Sequence, residues 1–120
     1  MAKIIDSVRL PKQVKVSATG TGTINTDRVE TGQMLVCQSI AFRNQTAARG
    51  AITLQVRQGS ALLVLAYESA PAAGEWYYSP YEQHVNQGEQ VEVQQASCVA
   101  DDLLDLHIIG YIEYLKDYRR

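Results

Sequence analysis

The side chains best suited to chemistry are two histidines, His84 and His107, and an acidic cluster of Asp101, Asp102 and Asp105. A hydrolase sets a nucleophile beside a histidine base, and no Gly-x-Ser-x-Gly elbow accompanies either histidine. Metal-dependent cupin enzymes place two histidines one residue apart, followed by a glutamate, so that alternate strand positions converge on one ion. That spacing is missing. Glu82 with His84, and Asp105 with His107, do stand at i and i+2, which on a strand is one face, and a joint Zn²⁺ or Mn²⁺ site is conceivable. The pattern of the last strand, however, turns Asp105 and His107 to an outer polar face, so no metal is expected. Asp101 and Asp102 stand at a turn before an apolar run, without the acidic spacing of a calcium loop, and are expected to bond their own backbone. No catalytic residue or cofactor is expected, and the chain reads as a non-enzyme.

The elements that carry these residues follow from a period-two rhythm. Residues 12–16, Lys-Gln-Val-Lys-Val, alternate as a half-buried strand does, and a strand is expected over 14–18. The Gly/Thr stretch 19–23 suits an extended edge or loop. Further strands are expected over 29–31, 34–42, 51–57, 61–69, 75–79, 89–97 and 103–115, separated by turn residues such as Gly32, Gly59, Pro71, Gly74 and Gly88. Register is ambiguous near Gln38. In 51–57, Ile52, Leu54 and Val56 point inward and Thr53, Gln55 and Arg57 outward. In the last run Leu104, Leu106, Ile108, Gly110, Ile112 and Tyr114 share one side, with Asp105, His107, Tyr111 and Glu113 on the other. About eight short strands with no internal repeat predict an all-β fold, a two-sheet antiparallel sandwich of jelly-roll or Greek-key type.

With 120 residues, one domain spanning 1–120 is expected. Eleven basic against thirteen acidic residues give a net charge of -2, so no bulk field gathers nucleic acid or an anionic membrane. No apolar run approaches the roughly 18 residues of a bilayer crossing, and Asp6 interrupts the place of a signal peptide's apolar stretch, so folding in a cytoplasm is expected. Cys37 and Cys98 sit in strand-like runs and read as two buried thiols. An immunoglobulin-type bridge is disfavoured because Trp76 lies far from Cys37. The basic tail 116–120 is expected to be solvated.

Two segments stand out as surfaces. Residues 62–67 are apolar on both faces, so a second cover is needed beyond the core: either the chain's own loops or another subunit. Residues 75–81 collect Trp76, Tyr77, Tyr78 and Tyr81, whose rings can fill the core or form an interface, with Trp76 and Tyr78 facing one way and Tyr77 the other. The expected partner-binding residues are Leu63, Leu65, Tyr67, Trp76, Tyr77 and Tyr81. Gln55, Gln90, Gln94 and Gln95 are expected on outer faces, where uncharged polar strands suit wet contacts between subunits.

The layout resembles the small all-β virion proteins of tailed bacteriophages, particularly capsid decoration or cement proteins of jelly-roll type. The resemblance rests on Met34-Leu35-Val36 leading to Ile40-Ala41-Phe42, on Pro71-Ala72-Ala73-Gly74-Glu75-Trp76, and on the ending from Ala100-Asp101-Asp102 through Gly110-Tyr111-Ile112-Glu113-Tyr114. It implies a homotrimer or homodimer, folded in the host cytoplasm, that binds the major capsid protein or another virion protein and stabilises the shell without chemistry. The alternative is a carbohydrate- or receptor-binding module of a phage tail or fibre that uses Trp76, Tyr77 and Tyr81.

Overall fold

A computed structural model describes residues 4–79 and 81–115; the start of the chain and the basic tail 116–120 lie outside them. Nine strands form among the described residues: β1 Ile4–Lys15, β2 Gly20–Asn25, β3 Gln33–Asn44, β4 Ile52–Gln58, β5 Ala61–Glu68, β6 Tyr77–Tyr78, β7 Gln83–Val85, β8 Gln90–Cys98 and β9 Leu103–Tyr114. Their antiparallel pairings nest one inside another along the chain: β1 with β9, β2 with β8, β3 with β6 and β7, and β4 with β5. A long hairpin of this kind leaves too much apolar side-chain surface exposed to stand alone, and it rolls up so that β9 also pairs β3 and β8 also pairs β4. The result is a jelly roll of two antiparallel sheets, β1-β9-β3 with β6 and β7 on one side, and β2-β8-β4-β5 on the other. It confirms the predicted sandwich, with nine strands in place of about eight.

Alternation supplies the core. Ile24, Val93 and Leu54 lie in one cross-strand row of the smaller sheet, and Leu106 faces Phe42 in the larger. Leu104, Leu106 and Ile108 point inward as expected, together with Ile52, Leu54 and Val56. Both cysteines are free and fully buried. Burial pushes the Cys37 thiol up to about 12, and burial likewise raises Cys98.

Several sequence expectations need correction. The first strand runs through Pro11 and ends at Lys15, not over 14–18; β1 is a sheet edge, where proline's missing N–H costs no ladder bond. Val16 instead bonds the 98–102 turn, donating to the Asp102 carbonyl at 2.9 Å. Residues 29–31 form no strand; Val29 joins the 86–89 turn through two backbone bonds of 2.8 Å, from its own amide to the Glu89 carbonyl and from the Gly88 amide to its carbonyl. The ambiguous register at Gln38 is a bulge, located between the Cys37 and Ser39 pairings. Gln95 faces inward and is fully buried, because it pairs with Ile52. Gln55 does lie on the outer face but is buried, donating to Glu92 at 3.0 Å.

One end of the sandwich is closed by a polar knot. Asp102 accepts both Nε and Nη2 of Arg49 at 2.8 and 2.9 Å, the Val99 amide at 3.0 Å and the Asn44 amide group at 3.3 Å. Asn44 also donates to Gln95 at 3.0 Å. The Arg49 guanidinium, with those other donors, overcomes burial and holds the Asp102 carboxyl at about 2. Asp102 thus ties together two loops rather than merely bonding its own turn.

Candidate interaction surface

Strand β5 follows β4 through a tight connection at Gly59, whose φ of 58° falls where a side chain is disfavoured. Its sequence, Ala-Leu-Leu-Val-Leu-Ala-Tyr-Glu, favours a strand, and among the described residues no strand pairs with its outer edge. Along β4, Leu54 faces Ala66 but the next residue, Gln55, faces Val64. Leu65 is therefore an inserted residue, and alternation reverses across it. Leu65 and Ala66 both pack toward the core. Leu63, opposite Val56, is inward; Leu62, Val64 and Tyr67, opposite Arg57, Gln55 and Thr53, lie on the outer face. Leu63, Leu65 and Tyr67 thus do not form the single face that uniform alternation implied.

Little of this strand is covered. Leu62 is 48 %, Leu63 62 %, Val64 56 % and Tyr67 65 % exposed. The described loops leave most of residues 62–67 unsealed. Beside β5, the edge of the opposite sheet carries Tyr77 and Tyr78, placed by the pairing of β6 with Phe42 and Ala41. Together they border a crevice of about 100 Å³ floored by Phe42, Ile52, Leu54 and Ala66, with Tyr67 and Glu68 at its rim. Tyr77 packs against the core, and its hydroxyl accepts the Ala72 amide at 2.6 Å and donates to Glu75 at 3.2 Å. Those bonds fix the loop that leads into the aromatic segment. Tyr78 and Tyr81 remain 61 % and 75 % exposed.

Trp76 stands elsewhere. Its ring lies 4.5 Å from the Arg43 guanidinium carbon, a cation–π stack, and 6.1 Å from the His107 ring, on the outer face of the larger sheet. Beneath it Asp105 accepts Arg43 at 2.7 Å, Gln45 at 2.8 Å and Gln13 at 2.8 Å. Burial pushes this carboxyl up, but the Gln45, Arg43 and Gln13 donors outweigh it and hold it below the usual range. Asp105 does sit on the outer face, yet it is buried there, contrary to the solvated position expected of it. Trp76, Tyr77 and Tyr81 therefore do not line up as one stacking platform.

The expected site residues divide in consequence. Leu63, Leu65, Tyr67 and Tyr77 gather along one open flank of the sandwich, Tyr81 follows on the segment after it, and Trp76 is part of a separate polar patch. Sequence reasoning missed Tyr78 at the crevice. The period-two pattern put it on the same side as Trp76 and Tyr77 on the other, and the pairing agrees, with Tyr78 opposite Ala41 and Tyr77 opposite the core residue Phe42. Among the described residues no group of three or more His, Cys, Asp and Glu side chains gathers as a metal site. His84 lies 3.5 Å from Glu82, and it stands opposite Val36 whereas His107 stands opposite Ala41, five residues further along β3. What the flank can do is bury apolar and tyrosine surface against another protein.

No protein-family model matches this chain, and no curated protein sequence matches it either. Among solved structures it is similar to one from Bacillus endospore appendages, described as a novel family of disulfide-linked pili, at 12 % identity over 96 % of this chain and 92 % of that one, with a TM-score of 0.56. A looser likeness, TM-score 0.49 at 10 % identity, covers 98 % of this chain but 33 % of a chain of infectious bursal disease virus, Gx strain. The Drosophila NLP core, described for pentamer formation and histone binding, gives a TM-score of 0.44 at 16 % identity over 88 % of this chain and 98 % of that one. At these identities the likeness is one of fold.

Proposed function

We propose that this chain is a structural protein of a tailed-phage particle, a capsid decoration protein that binds the shell as a symmetric oligomer. The observation that carries this reading is the uncovered flank of β5 with Tyr78 and Tyr81. At their exposures these six side chains leave on the order of 800 Å² open, about one partner's share of a standard interface. A monomer that stays in solution has little use for so much apolar surface along a sheet edge. The fold similarity to a protein of pili is in keeping with a role in assembly, with one difference. Cys37 and Cys98 are both buried, so disulfide linkage through them is no part of the proposed assembly. The carbohydrate reading loses support because Arg43 covers the Trp76 ring and Tyr77 packs into the core.

In this reading the partner is the major capsid protein, the location is the virion, and many weak contacts repeated by symmetry supply avidity. Calorimetry of shells with and without bound protein tests it. Decorated shells are expected to melt several degrees higher, and equal melting overturns a stabilising role. Tyr78→Ala combined with Tyr81→Ala is expected to weaken shell binding at least tenfold, as loss of exposed aromatic anchors does.

A further inference from the structure

Among the described residues the two sheets have four edges, one of them shared by β6 and β7, and three of the four carry features that discourage pairing. β1 bears Pro11 with Arg9, Lys12 and Lys15; β2 begins with Gly20 and Gly22 and changes register between them; β6 and β7 are two and three residues long. β5 differs. It is eight residues long and has no proline, and no charge falls between Arg57 and Glu68.

Its bulge also has a consequence for symmetry. Two antiparallel copies of one strand related by a two-fold axis through the sheet must bring inward residues opposite inward residues. In β5 the order inward, outward, inward for Ala61, Leu62 and Leu63 is repeated by Ala66, Tyr67 and Glu68, because alternation reverses at Leu65. Pairing Ala61 with Glu68, Leu62 with Tyr67 and Leu63 with Ala66 of a second copy therefore matches faces on both arms. The mismatch falls only at the axis, between Val64 and Leu65. An eight-residue strand of uniform alternation would fail this test in the same register.

From these features we infer that β5 pairs with β5 of a second copy of this chain, joining two four-stranded sheets into one of eight strands. Leu62 meets Tyr67 of the other copy on the outer face, an aliphatic–aromatic cross-strand pair. On the inner face Leu63 reaches Ala66 of the other copy, which floors the crevice below Tyr77 and Tyr78. The uncharged centre brings no like charges together. The four exposed β5 side chains offer on the order of 450 Å² per copy, and edge pairing covers the part of it that faces the neighbouring strand together with the open backbone edge. The inference rests on the reading of this flank as an assembly surface and names what occupies its edge.

Light scattering and mild oxidation of the full chain test it. Wild type is expected to be a dimer, and Leu63→Lys, which sets a charge inside the pairing edge, is expected to raise the dimer dissociation constant at least tenfold. Ile109→Lys, on the outer face of the other sheet, is expected to leave it unchanged. Leu62→Cys and Tyr67→Cys proteins are expected to cross-link when mixed and not when oxidised separately, since identical positions lie about 17 Å apart in this register, beyond disulfide reach. A chain monomeric at every concentration, a dimer indifferent to Leu63→Lys, or cross-linking of either cysteine variant alone overturns the pairing. A monomer that still raises shell melting overturns the pairing and leaves the shell-stabilising role standing without the symmetric oligomer; a dimer without effect on shells overturns that role and leaves the pairing standing.

Discussion

At the scale of single residues, Asp102 has the most to lose. Its side chain is 1 % exposed and holds Arg49, Asn44 and the Val99 amide. Asp102→Ala strands a guanidinium and several buried donors and is expected to cost about 3 to 5 kcal/mol, measured by urea unfolding. The carboxyl sits at about 2 when folded against an ordinary 3.8. A depressed folded value stabilises fully above the unfolded one, and this contribution is lost as pH falls from about 4 through about 2. Acid titration of stability is expected to show a steeper loss in that window for wild type than for Asp102→Asn. The thiols offer a second check. Since burial pushes Cys37 to about 12 and raises Cys98, native protein at neutral pH is expected to resist alkylation, with two thiols reacting once it is unfolded in denaturant.

At the scale of elements, the bulges decide which faces exist. At Gln38 the extra residue draws β3 close to β9, so that a Cβ placed on Gly110 would collide with the Val36 carbonyl oxygen. Backbone cannot yield there as a side-chain tip can, and Gly110→Ala is expected to destabilise the fold by at least about 3 kcal/mol, read from thermal or urea melts. The parity of β9 on the sequence already placed Gly110 on the inner side, but nothing there announced a glycine required by the neighbouring strand. The bulge at Leu65 acts on the surface rather than the core, separating Leu63 from Tyr67. A run apolar on both faces reads the same with or without it, which is why the exposed stretch was legible and its faces were not.

For the whole molecule, the nested order makes the first strand and the last depend on each other. β1 pairs with β9 along its full length, from Ile4 opposite Tyr114 to Lys15 opposite Leu103. Removing residues 1–15 leaves the β9 edge open and takes away Val8 and Val14, which pack on the core. The truncated chain is expected to lack a cooperative unfolding transition by circular dichroism. Closure of so long a loop also comes late, and refolding of the intact chain in stopped flow is expected on the millisecond-to-second scale common to folds dominated by distant pairings.

What the sequence by itself determined is the class and the layering. Alternation in residues 51–57 and 103–115 marked inner and outer sides without knowledge of the partners, because side-chain direction on a strand is local. The same rule marked residues 62–67 as doubly apolar. What only the tertiary structure decided is where alternation breaks and who stands opposite whom. The bulges at Gln38 and Leu65, the burial of Gln55 and Asp105 on nominally outer faces, and the removal of Trp76 from the tyrosine flank all depend on strands distant in the chain. Register, charge pairing and cover are properties of neighbours, and the neighbours are chosen only when the hairpin rolls up.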